Sequence, residues 1–306
     1  RTVASHEFNL AAGGNHGRTE SAATAFSQPL RTAEHRSKRV ARAVVTQDGA
    51  RIAAFVYGTP HTATTPVLML HGNGEEHGIF GPIVDVVNSA GRTVIALDSR
   101  AQGKSTRGTA RLTYELMTKD AIDVLDALGV ARVHVLGFSD GGIEALLLGR
   151  DYPERVASIT ALGANLTPEG VIEEPDWDLD GAIATNCAWA KYWKELAIPR
   201  EAESADVDCE LLFATPEEAA QAAELLQLML DEPHIEASSL SGISCPTTIM
   251  VGEHDCIRPS ETKAIVDAIP SARLVVVPGV GHSLPKLVPD TVSCQLLVNL
   301  LLTERD

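Results

Sequence analysis

No stretch of this sequence approaches the ~18 consecutive apolar residues of a membrane span, so no spanning helix is expected. Basic charge is scarce too: 25 Lys and Arg stand against 41 Asp and Glu, a formal net charge of −16. A surface that acidic repels nucleic-acid phosphates and anionic lipid, so both are poor candidates as partners, and nothing more about function follows from the charge. Cysteine is sparse. Cys187, Cys209, Cys245, Cys256 and Cys294 are odd in number, widely spaced, and form no CxxC or Cys/His pair at metal-ligand spacing. They read as reduced structural thiols of a cytoplasmic protein. The start lacks a short apolar run with a cleavage site, although Arg1 in place of Met leaves a removed signal open.

Cofactor signals are also missing. Gly103-Lys104-Ser105 ends like a phosphate-binding loop, but Asp98 occupies the place of the required first glycine. Gly279-Val280-Gly281 is not followed by the third glycine of a dinucleotide fingerprint. His71, His77, Glu75 and Glu76 cluster in an order that fits no H-E-x-x-H site. The expectation is no cofactor and no metal.

What is present is a long chain with a core. Of 306 residues, 44% are apolar, enough for one large domain carrying an insertion. Residues 1–39 are polar, without clean periodicity, and read as an N-terminal extension. From Val40 the pattern changes. Val40–Thr46 and Arg51–Tyr57 read as a hairpin around Gln47-Asp48-Gly49. Pro66–Leu70, Thr93–Leu97, Val133–Leu136, Ala157–Ala161, Thr247–Val251 and Arg273–Val277 are short continuous apolar runs, as strands buried on both faces require. Helical spacing appears between them, over Phe80–Ser89, Tyr114–Leu128, Ile143–Arg150, Ser260–Ile269 and Thr291–Leu302. The alternation predicts an α/β fold with a mostly parallel central sheet and helices on both faces. Residues 166–241 break the rhythm. They hold helical segments at Ala182–Lys194 and Glu217–Leu230 and all three tryptophans, and read as a helical insertion in a core of 40–165 and 242–306.

The strongest motif is Gly137-Phe138-Ser139-Asp140-Gly141, which satisfies G-x-S-x-G. It follows the apolar run His134-Val135-Leu136 and precedes the helix near Ile143, so Ser139 would sit on a tight strand-to-helix turn with its hydroxyl projecting from the sheet. The plainer reading is an ordinary glycine-rich βα turn; the strand-turn-helix context favours a nucleophile.

These residues resemble the α/β-hydrolase superfamily from about Val40 onward. His71-Gly72-Asn73-Gly74 looks like its HGxG oxyanion loop. Asp98-Ser99-Arg100-Ala101-Gln102-Gly103-Lys104-Ser105 is similar to its D-x-R-G-x-G-x-S loop, with Ala101 in place of the first glycine. The insertion at 166–241 sits where relatives carry a cap or lid. The resemblance implies a serine hydrolase with Ser139 as nucleophile, in the chain order nucleophile, acid, histidine. Only His234, His254 and His282 follow Ser139. His282, in Gly279-Val280-Gly281-His282-Ser283 after a strand, matches the family position and has a reference pKa near working pH. Asp255, in Gly252-Glu253-His254-Asp255, matches the usual acid position, with Glu253 as the alternative. Backbone N–H groups of Asn73 and Asp140 would form the oxyanion hole; the Asp140 side chain reads as an incidental surface carboxylate, and His71 as a brace for the loop. Phe138, Trp189 and Trp193 are candidate lining of an acyl pocket, the two tryptophans sharing one helical face and equally suited to packing cap on core. The implied reaction is hydrolysis of a carboxylic ester through an acyl-enzyme. Carbon–carbon bond hydrolases, thioesterases, amidases and perhydrolases share the triad, and some members of the fold bind a small ligand without turnover.

Overall fold

The computed structural model describes residues 39–58, 64–172, 179–196 and 215–303, without the side chains of residue 189 and residues 192–196. Eight strands run β1 (Arg39–Val45), β2 (Arg51–Tyr57), β3 (Val67–Leu70), β4 (Val94–Asp98), β5 (Val133–Phe138), β6 (Val156–Leu162), β7 (Thr247–Gly252) and β8 (Ala272–Val277). They form a single sheet in the order β1-β2-β4-β3-β5-β6-β7-β8. β2 pairs antiparallel with β1 and with β4, and every pairing from β4 onward is parallel. The expected mostly parallel α/β sheet is therefore present, and each predicted strand lies within about a residue or two of its expected place.

Helices cover both faces. α1 (Gly81–Ser89) and α8 (Pro289–Thr303) pack on one side, and α2 (Tyr114–Ala127), α3 (Asp140–Asp151) and α6 (Pro259–Ala268) on the other. The strands divide their side chains accordingly. In β3, Leu68 and Leu70 join the α2/α3 core while Val67 and Met69 join the α1/α8 core, and β4 and β5 alternate in the same way. This is why their sequences read as continuous apolar runs: a two-residue period is hidden when both faces are dry. α2 opens on a cap, the Thr113 hydroxyl accepting from Leu116 N–H.

Between Leu162 and Thr247 the chain leaves the sheet. Its described part holds α4 (Leu179–Leu196) and α5 (Pro216–Asp231), which pack on each other, and no sheet strand occurs there among the described residues. A short α7 (Leu284–Leu287), not anticipated from the sequence, follows the loop after β8. No described helix is long and apolar enough to cross a membrane.

Candidate active site

β5 ends in a turn that its glycines make possible. Ser139 sits between β5 and α3 at φ 55°, ψ −116°, a region that L-residues avoid. A Cβ on Gly137 would lie 1.9 Å from Gly141 O, and one on Gly141 would lie 2.1 Å from Leu70 O. Only hydrogen fits at either position. The close approach lets Gly141 N–H donate to His71 O at 3.1 Å, which ties the turn to the loop after β3. Ser139 N–H in turn donates to Leu162 O at 2.8 Å.

Three predicted residues from distant parts of the chain meet here. His282 Nε2 lies 3.0 Å from Ser139 Oγ, and His282 Nδ1 lies 2.7 Å from Asp255 Oδ1. The Asp255 carboxylate also accepts from Ile257 N–H at 3.0 Å and from Gly252 N–H at 3.3 Å, so its orientation is set by backbone. Burial would raise the Asp255 pKa, but the charge and hydrogen bond of His282 outweigh it and hold the carboxyl below its ordinary value. For His282, burial works against the imidazolium, yet the Cys256 sulfur and the Asp255 carboxylate beside the ring raise its pKa well above the ordinary value. The alternatives separate in space. Glu253 is half exposed and accepts from Gly279 N–H at 2.8 Å, His254 is exposed, and His234 lies on the surface near the end of α5.

The residues of the expected oxyanion loop flank the serine. Neither Asn73 N–H nor Asp140 N–H is engaged by an acceptor among the described residues, so both remain available to a ligand oxygen. His71 is fully buried, its Nε2 accepting from Ser99 N–H at 2.9 Å and its Nδ1 lying 2.8 Å from Gly72 O. Burial pushes its pKa down, which suits a neutral brace.

One expectation needs correction. The Asp140 side chain is not a surface carboxylate but is 4% exposed, accepting from Asn73 Nδ2 at 3.0 Å and from Tyr114 Oη at 3.0 Å. Burial raises its pKa to about 6 against those two hydrogen bonds. A sequence gives no warning of this, because the residue after a nucleophile can point either way.

A cavity of about 40 Å³ faces Ser139, lined by Gly72, Asn73, Glu75, Phe138, Met229 and His282 together with Ser283. The Phe138 ring stands 5.0 Å from the His282 ring. The side chains of Trp189 and Trp193 lie outside the described residues. Met229 of α5 and Glu75 were not foreseen; the first belongs to a helix whose docking no local pattern reveals. Glu75 is mostly buried, its carboxyl pushed up by burial although Lys286 Nζ lies 3.3 Å away. A larger cleft, about 620 Å³, opens between the start of β3 and the end of α2, far from Ser139. Among its described lining residues only Arg42 and Arg132 carry charge, and none is a histidine or a carboxylate, so volume does not decide the site.

Among the described residues, two clusters hold metal-ligand atoms, Asp255/Cys256/His282 and Glu76/His77/Asp98. In both, the carboxylate and imidazole atoms already bond to each other, at 2.7 Å in the first and 2.8 Å in the second.

Known proteins share this arrangement of elements. The family model described as alpha/beta hydrolase fold matches residues 65–186. The serine hydrolase BPHL of Mus musculus is 30% identical over 223 residues, spanning 71% of this chain and 73% of that protein. The putative carbamate hydrolase RutD of Azorhizobium caulinodans is 28% identical over 267 residues, 80% of this chain and 94% of that one. The solved enol-lactonase from Burkholderia xenovorans LB400 superposes with a TM-score of 0.65 at 18% identity, covering 85% of this chain and all (100%) of that one, a likeness of fold alone. With the sheet order, the strand-turn-helix serine and a relative of this identity and coverage, the chain belongs to the α/β-hydrolase superfamily.

Proposed function

We propose that the protein hydrolyses a carboxylic ester through a covalent acyl-enzyme, with Ser139, His282 and Asp255 as its catalytic triad. The observation that carries this reading is the unbroken hydrogen-bond chain Ser139 Oγ–His282–Asp255, with spacings of 3.0 and 2.7 Å. A serine hydroxyl needs an adjacent base, and that base needs a third group to hold its tautomer. His282 takes the Ser139 proton as Oγ attacks the carbonyl carbon, and Asp255 stabilises the imidazolium. The oxyanion is held by Asn73 and Asp140 N–H, donors that in other acyl-transfer sites lower the barrier by ~3–4 kcal/mol each. The imidazolium then protonates the leaving alcohol, and water, deprotonated by His282, releases the acid and restores Ser139.

The proposal extends to organisation. Residues 40–165 and 242–306 form the catalytic core, 166–241 a helical cap and 1–39 an N-terminal extension. Phe138 and Met229 shape the acyl side of the site, with Trp189 and Trp193 as further candidates. Carbamate hydrolysis is the second reading, favoured by the match along 94% of the RutD relative's length; its carbonyl would use the same serine and oxyanion donors.

A fluorophosphonate probe with mapping of the adduct by mass spectrometry tests the mechanism, Ser139→Ala serving as control. Stoichiometric labelling at Ser139 is expected, followed by turnover on a panel of esters, thioesters and carbamates. A folded protein that stays unlabelled would mean that Ser139 is not activated. Labelling without turnover would favour a ligand-binding member of the fold.

A further inference from the structure

The side chain of Asn73 joins three elements that the reaction needs in register. Its Nδ2 carries two hydrogens, and both are placed: one goes to Asp140 Oδ2 at 3.0 Å on α3, the other to the Leu225 carbonyl at 2.9 Å on α5. Asn73, Asp140 and Tyr114 are all buried, and Tyr114 Oη on α2 donates to the other Asp140 oxygen. One residue before Leu225, Glu224 receives the Arg107 guanidinium through Nε at 2.7 Å and NH2 at 2.5 Å, which pins the same turn of α5 to the core. A buried amide gives up a satisfied N–H only at a cost, so the loop that carries Asn73 N–H follows α3 and α5.

Resting on the serine-hydrolase reading above, we propose that the Asn73 side chain is a positioning group that couples helix α5 to the oxyanion loop, and that Asp140 is its anchor. The backbone N–H of Asn73 binds the oxyanion; its side-chain amide sets where that N–H points. When α5 shifts, the Leu225 acceptor leaves and the loop loses its hold. The oxyanion hole is thereby complete only while α5 is seated.

Asp140 faces Asn73 and Glu75 of the oxyanion loop, Tyr114 of α2, Glu144 of its own helix and His282 after β8. With a pKa raised to about 6, it gains a proton on mild acidification, and one of its two oxygens then becomes a donor. Tyr114 Oη can turn and accept that proton, whereas Asn73 Nδ2 can only donate, so a proton on Oδ2 releases Asn73 and one on Oδ1 leaves it held.

The test measures kcat per active site, counted by fluorophosphonate titration of Ser139, so that unfolded protein does not enter the rate. Asn73→Ala keeps the backbone N–H and removes only the anchor. Its kcat is expected to fall about 10- to 100-fold, with KM within about threefold. Asp140→Ala should lie about tenfold or more below Asp140→Asn, which retains an acceptor for Asn73. Arg107→Ala, which frees α5, should slow the wild type but add little to Asn73→Ala, a coupling that a double-mutant cycle measures. Unchanged kcat in titrated Asn73→Ala, or additive loss in the cycle, would overturn the proposal. Should Asn73→Ala fail to fold, equal rates for the two Asp140 variants would do the same. A wild type that neither labels nor turns over removes the hydrolase reading itself, an outcome distinct from an active enzyme indifferent to Asn73.

Discussion

Among the described residues are two buried histidine–aspartate pairs. His282 Nδ1 meets Asp255 Oδ1 at 2.7 Å, and His77 Nδ1 meets Asp98 Oδ1 at 2.8 Å. By distance, partner and burial they are nearly the same unit. Their surroundings differ. The far nitrogen of His282 faces Ser139 across a cavity, whereas the His77 ring stacks on Phe55 at 3.5 Å between centroids. Asp98 also accepts from the backbone N–H groups of His77 and Lys104, binding together the loops after β3 and β4. A His–Asp pair can serve as a base only where a hydroxyl and open space meet its second nitrogen; elsewhere it is a clamp.

That contrast can be broken by substitution. The largest effect is expected from Ser139→Ala, a loss of about 10⁶-fold in kcat with the fold retained, measured by hydrolysis and thermal melting. Asp255→Asn should cost about 10⁴-fold in kcat with little change in melting temperature, because the imidazole loses its tautomer control. His77→Ala should do the reverse, leaving kcat within a few-fold while lowering unfolding free energy by about 3 kcal/mol in denaturant titration, since it strips a buried carboxylate of one partner. A large activity loss with an unchanged stability in that variant would erase the distinction between the two pairs.

The pH profile sharpens the same comparison. His282 must be neutral to accept the serine proton, and its pKa lies well above 6.5. Activity as kcat/KM should therefore rise with pH through a midpoint above that value, and Asp255→Asn should move the midpoint down. The smallest effect concerns the loop that Asp98 anchors. Ala101 adopts φ 64°, where a Cβ is strained, so Ala101→Gly should gain about 1 kcal/mol of stability without altering turnover.

Legibility varied with the range of the interaction. The strands, the elbow at Ser139 and the loops bearing Asp255 and His282 were readable because each depends on neighbours a few residues away. Gly137 and Gly141 announce the turn since nothing larger fits there. The Asp140 carboxylate, Met229 and Glu75 were not readable as parts of the site. Their roles arise where α2, α5 and the loop after β3 converge, and no local spacing encodes that convergence.

Local chain chemistry by itself determined the alternating elements, the strained serine turn and the identity of the three groups able to form a proton relay. Backbone sterics and side-chain period act within a turn or a strand, so they survive in the linear text. Tertiary structure alone decided which of two His–Asp pairs faces Ser139, and that the carboxylate after Ser139 turns inward to hold Asn73. Those outcomes depend on distances between residues tens to hundreds of positions apart, which exist only once the sheet has brought the loops at the ends of its strands together.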